Sequence, residues 1–140
     1  MQFVGYLFIL CIIQSCSASV REKVANPGGT KDIKSIKVLN KTQNKFIPGS
    51  INITDTAAIL KIVEQVKKMK EFKIDNVKAN FGFYELDFTY ENQKNYEIDV
   101  IYTIYEGVVI RDLDGKTYKN DGLETLILYY FQNPDLQGAH

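Results

Sequence analysis

Two runs, NFGFYELDFTY over residues 80–90 and YEIDVIYTIY over residues 96–105, alternate apolar and polar side chains. No other feature constrains the fold as much. Successive side chains of an extended strand point to opposite faces, so this alternation specifies strands with one face in a core and the other at its surface. In the first run Tyr84, Leu86, Phe88 and Tyr90 fall on one side, and Glu85, Asp87 and Thr89 on the other. In the second, Tyr96, Ile98, Val100 and Tyr102 stand opposite Glu97 and Asp99. The residues between them, Glu91-Asn92-Gln93-Lys94-Asn95, close a hairpin. A turn centred on Gln93 pairs Tyr90 with Tyr96, Phe88 with Ile98, Leu86 with Val100 and Tyr84 with Tyr102. All four pairs then share one aromatic face, which needs a cover.

The cover is a helix predicted from Thr56 to about Phe72, capped by Thr54 or Asp55. Ile59, Ile62, Val63, Val66 and Met69 recur at the spacing of a single helical stripe. Lys67, Lys68 and Lys70 crowd its last turns, where cations meet the negative end of the helix dipole. With Lys61 they also offer a basic face toward anionic lipid or an acidic partner, although most such faces are simply solvated. Before the helix, Ile33, Ile36 and Val38 mark a first strand, Phe46-Ile47-Pro48-Gly49 a turn, and residues 51–54 a short extended piece. After the hairpin come Val108-Val109-Ile110, the turn dipeptide Asp114-Gly115, and Lys116-Thr117-Tyr118. Glu106-Gly107 is either a tight turn or a bend within one long strand. Asn120 or Asp121 caps a last helix, in which Leu123, Leu126, Ile127 and Tyr130 form a stripe before Pro134.

The expected fold class is therefore α+β: one amphipathic helix packed on a three- to four-stranded antiparallel meander, with an N-terminal strand and a short C-terminal helix. The expected organisation is a signal peptide over residues 1–15, a flexible tether over 16–31 and a single globular domain over 32–140. The order of elements invites comparison with cystatin-type inhibitors, which pack a helix across an antiparallel sheet after an initial strand. The comparison fails at the loop between the central strands, where Gln93-Lys94-Asn95 stands in place of that family's Gln-x-Val-x-Gly, and the terminal helix is extra, so no membership is claimed.

Residues 3–13, FVGYLFILCII, carry no charge. The run is shorter than the roughly 20 apolar residues a bilayer span needs, and has the size of a signal-peptide core. It leads into Ile13-Gln14-Ser15-Cys16, which resembles the lipobox of bacterial lipoproteins; Gln14 is the departure from that pattern. The resemblance implies lipid attachment at Cys16 and a small lipoprotein of the cell membrane or outer membrane. The competing reading is simple cleavage after Ala18 and free secretion. Both place the mature chain outside the cytoplasm. Residues 17–31, polar and containing Pro27-Gly28-Gly29, suit a tether. Cys11 and Cys16 are the only cysteines, so the domain has no internal disulfide and rests on its core. Nine Tyr, eight Phe and 45% hydrophobic residues argue for a packed globule. Asn40-Lys41-Thr42 and Asn52-Ile53-Thr54 would be glycosylation acceptors in a eukaryotic secretory pathway.

Chemistry is bounded by what the chain lacks. Its one His is His140, the last residue, so no Ser–His or Cys–His system can be assembled on an ordered imidazole. A zinc site has neither thiolates nor imidazoles, and no glycine loop is placed to cradle phosphate. No catalytic residue, metal-ligand set or cofactor is expected. Residues 17–80 carry thirteen Lys/Arg and six Asp/Glu, a balance of +7, and residues 81–140 carry four and eleven, a balance of −7. Complementary halves that pack together would partly neutralise each other. The acidic strands would repel a phosphate backbone, so no nucleic-acid partner is expected.

One constellation survives: Glu85, Asp87, Glu97 and Asp99 on the outer face of the hairpin. In the register above, Asp87 faces Asp99 and Glu97 faces Thr89. Opposed Cβ atoms lie about 4.5–5.5 Å apart, close enough for carboxylates to share a hard cation such as calcium. The same closeness suits a retaining glycosidase pair, which also needs a deep sugar cleft. The face also suits a basic protein partner, and like charges opposed across strands carry a cost that points to a use. The expected function is a non-enzymatic cell-envelope binding module that engages another protein, inhibitor- or immunity-like. The alternatives are a small secreted metal-dependent hydrolase using the acidic face, and a structural envelope protein.

Overall fold

The computed structural model describes residues 32–74, 77, 82–92 and 95–137. The expected signal peptide, Cys16, the expected tether and His140 lie outside them. Seven strands form one antiparallel sheet in the order β2-β1-β4-β5-β6-β7-β3. They are β1 (Ile33–Asn40), β2 (Ser50–Ile53), β3 (Lys70–Glu71), β4 (Phe83–Tyr90), β5 (Asn95–Tyr102), β6 (Val108–Asp112) and β7 (Thr117–Lys119). Two helices, α1 (Thr56–Lys67) and α2 (Asp121–Gln132), are 12 residues each, and a 3-10 turn follows at Pro134–Leu136. This overturns the expected three- to four-stranded meander with one main helix. The meander is present as β4 to β7, but it forms the middle of a larger sheet that β1, β2 and β3 complete through long-range pairing.

Connectivity fixes how the helices lie. α1 starts after one edge strand, β2, and ends before the opposite edge strand, β3, so it crosses the sheet. α2 leaves from β7 and returns: the Gln137 carbonyl beyond it accepts the N–H groups of Thr54 (2.7 Å) and Asp55 (3.1 Å), next to β2. At the other side the Asn120 side-chain amide donates to the Gln65 carbonyl, tying the start of α2 to the last turns of α1. Both N-termini are capped by side chains, because the first N–H groups of a helix have no intrahelical partner. Asp55 accepts from the Ala58 N–H at 2.7 Å, and Asn120 from the Gly122 N–H at 2.8 Å. Ile59, Ile62, Val63 and Val66 of α1 are buried in one core with Leu123, Ile127, Tyr130 and Phe131 of α2. The sheet contributes Ile36, Val38, Leu86, Phe88, Ile98, Val100 and Ile110 to that core.

Several local expectations give way to pairing. α1 stops at Lys67, not at Phe72; Met69 is still buried, and Lys70 and Glu71 turn into β3 and pair with Lys119 and Tyr118. Ile33 and Ile36 are three apart, yet both are buried, because a bulge between Ile33 and Ser35 inserts one extra residue opposite β4. Glu106-Gly107 belongs to a turn: the Thr103 N–H donates to the Gly107 carbonyl at 2.9 Å, and Gly107 has φ +67. On the face away from the helices, Ile101 and Val109 are cross-strand partners and are both fully buried. Between β3 and β4, Ile74 and Val77 are half-buried.

Candidate functional site

The β4–β5 register differs from the expected one by two residues. Leu86 lies opposite Ile98 and Phe88 opposite Tyr96, so Glu85 faces Asp99, Asp87 faces Glu97 and Thr89 faces Asn95. The expected oppositions of Asp87 with Asp99 and of Glu97 with Thr89 are therefore not formed. A shift of two leaves every side chain on its own face, so all four carboxylates stay on the outer face and only their partners change.

Neighbouring strands extend the rows. β1 sets Lys37 opposite Asp87 and Leu39 opposite Glu85, and β6 sets Arg111 opposite Asp99. The Arg111 guanidinium reaches Asp99 Oδ2 at 2.7 Å. Lys41, just past the end of β1, forms a salt bridge with Glu85 and sits 5.4 Å from the centre of the Phe83 ring. The hydrogen bond to Glu85 raises the Lys41 ammonium above its ordinary pKa. Among the described residues these are the two salt bridges, and only the first joins the basic and acidic halves of the chain.

Glu97 has no such partner among the described residues. Carboxylate oxygens of Glu85, Glu97 and Asp99 lie within 4.8 Å of one another, all half-buried. Burial raises the Glu97 carboxyl above its ordinary range, and the charges of Glu85, Asp99 and Asp87 add to this, while Lys41 opposes it. Asp87 stands outside the trio although it faces Glu97 across the ladder. The arrangement thus holds more negative charge than its cations neutralise. It can accept an ammonium, a guanidinium or a hard cation through convergent oxygens.

The cations at the site, Lys37, Lys41 and Arg111, are absent from the sequence-based set. Arg111 and Lys37 had a usable signal: Arg111 alternates with Ile110 in VVIRD and Lys37 lies between Ile36 and Val38, which puts each on the side of its strand away from the core. A separate concavity of about 350 Å³ is lined by Thr42, Gln43, Asn44, Ile47, Tyr84, Tyr102 and Leu128, none of them charged. It brings no acid–base pair together. No described helix is long and apolar enough to cross a membrane. No protein family, curated protein or solved structure matches the chain.

Proposed function

We propose that this chain is a non-enzymatic binding module of the cell envelope, exported, held at the membrane by lipid on Cys16, and engaging another protein through its acidic sheet face in an inhibitor- or immunity-like manner. The observation that supports the reading is the pairing of rows: four carboxylates, two of them neutralised by Lys41 and Arg111, and Glu97 held among like charges. Opposing like charges across a ladder destabilises a sheet, and a partner that supplies basic side chains relieves that cost. Such a partner presents Lys or Arg where Asp87 and Glu97 face outward.

Crosslinking in native envelopes tests this, with the double variant Asp87→Asn/Glu97→Gln as control. A basic protein that crosslinks to the unaltered chain and is lost in the variant supports the reading, and an identical crosslinked set from both rejects it. The close approach of Glu85, Glu97 and Asp99 favours a hard cation as the second reading. In that case calcium, magnesium or manganese raises the unfolding temperature, and Asp99→Asn abolishes the increase.

A further inference from the structure

The concavity of about 350 Å³ between the β1–β2 loop, the sheet and α2 has no part in the binding role proposed for the acidic face. Tyr84 of β4 and Tyr102 of β5 line it, and their rings meet edge to face at 5.9 Å. Ile47 and Leu128 add aliphatic surface, and Thr42, Gln43 and Asn44 of the loop add hydroxyl and amide groups. Asn40 shapes that loop: its side chain accepts from the Thr42 N–H at 3.0 Å and donates to the Asn44 and Ile47 carbonyls, each at 3.3 Å. Gly82 joins the loop to Tyr102. A Cβ added there would lie 2.5 Å from the Thr42 Cα, and the Gly82 carbonyl accepts the Tyr102 N–H at 3.2 Å. Walls fixed in this way lower the ordering cost of binding.

We infer that this concavity binds a neutral saccharide. Its volume lies at the lower end of ligand clefts, about 300–1,000 Å³, and suits one or two sugar rings. The lining carries no charge, and each charged neighbour is accounted for. Lys41 pairs with Glu85, Lys45 is exposed in the loop, and Glu124 accepts a hydrogen bond from Tyr102. An ionic ligand would therefore lose its hydration without gaining a counter-charge. A wholly apolar ligand would cover polar groups and leave them unpaired. The Gln43 side chain makes no hydrogen bond among the described residues. The Asn44 side-chain oxygen accepts the Phe46 N–H at 3.0 Å, which leaves its NH₂ group to donate. Because the Tyr102 hydroxyl donates to Glu124, its oxygen is left to accept. Uncharged donors and acceptors beside aromatic rings match the hydroxyl rim and the apolar C–H faces of a sugar. The inference depends neither on the carboxylate face nor on whether Cys16 carries lipid.

Tyrosine ring resonances of the full chain report on the site, with Tyr84 and Tyr102 in the lining and Tyr96, at the other end of β5, as control. The probes are methyl glucoside, methyl galactoside, N-acetylglucosamine and cellobiose. At least one of them should shift the Tyr84 and Tyr102 resonances saturably and leave Tyr96 in place. Gln43→Ala, on an exposed loop residue, and Tyr102→Phe, which keeps the ring, should each raise the half-saturating concentration roughly 5-fold with an unchanged circular dichroism spectrum. Silence with all four sugars would overturn the inference. So would an equal or stronger response to cyclohexanol, glucosamine or glucuronate, or unaltered sugar titrations in both variants.

Discussion

Gly82 is where a single methyl group should do the most damage at the end of the sheet that carries the β1–β2 loop. Its backbone has φ +90, and an added Cβ would lie 2.4 Å from the Lys41 carbonyl oxygen and 2.5 Å from the Thr42 Cα. Both obstacles are backbone atoms, so no rotamer change clears them. A left-handed conformation costs an L-residue about 1–2 kcal/mol. Overpacking that forces the backbone to shift adds about 1–3 kcal/mol. The loss of unfolded-chain entropy returns about 0.4–1 kcal/mol. Gly82→Ala should therefore destabilise by about 2–4 kcal/mol, which for a domain of this size lowers Tm by about 10 °C or more. Two further glycines separate the contributions. Gly107 has φ +67 with nothing within 4 Å of the added atom, so Gly107→Ala should cost about 1 kcal/mol or less. Gly49 has open space and no positive φ, so Gly49→Ala should be neutral or slightly stabilising. Urea unfolding followed by circular dichroism measures all three. Equal losses for Gly82→Ala and Gly107→Ala would refute the close approach of Gly82 to Lys41 and Thr42.

Glu97 predicts a pH effect with a definite sign. A carboxyl raised in the folded state binds protons more readily there than in the unfolded chain, so its ionisation lowers stability as pH rises from the ordinary carboxylate range through the folded pKa. Glu97→Gln should therefore unfold at higher temperature than the unaltered chain at neutral pH, with the advantage fading in acid. Two tyrosines should respond oppositely to loss of the hydroxyl in chemical unfolding. The buried Tyr90 hydroxyl has no hydrogen-bond partner among the described residues, and burial pushes its pKa up to about 12, so Tyr90→Phe should be neutral or stabilising by about 1 kcal/mol. The Tyr118 hydroxyl donates to buried Asp112 at 3.0 Å, so Tyr118→Phe should cost about 1–3 kcal/mol. Asp55→Ala removes the α1 cap and should cost about 1 kcal/mol, seen as a lower urea midpoint with unchanged slope.

What could be read from the sequence was whatever a local period encodes. The stripes of both helices and the faces of Tyr84, Leu86, Phe88 and Tyr90 follow from side-chain spacing alone, whereas the caps were narrowed only to Thr54 or Asp55 and Asn120 or Asp121, of which the structure uses Asp55 and Asn120. The β4–β5 register did not, because a slip of two residues preserves every inward and outward assignment and only the turn distinguishes the alternatives. The same blindness changed the partners within the candidate site while leaving all four carboxylates on the right face. β3 was hidden by Met69, which is buried whether it continues the stripe of α1 or leads into the edge strand. Nothing near Ile33 announces that β1 lies between β2 and β4, since that pairing joins residues about fifty positions apart. The expected meander was therefore too small: sheet edges are set by long-range hydrogen bonds, which carry no local signature.

The proposed place of work, a membrane surface outside the cytoplasm, is tested by the intact mass of the protein recovered from membranes of its native host. The expected result is a chain that begins at Cys16 and carries added acyl mass. An unmodified chain beginning near Ser19, or the full chain from Met1 in the soluble fraction, would contradict it.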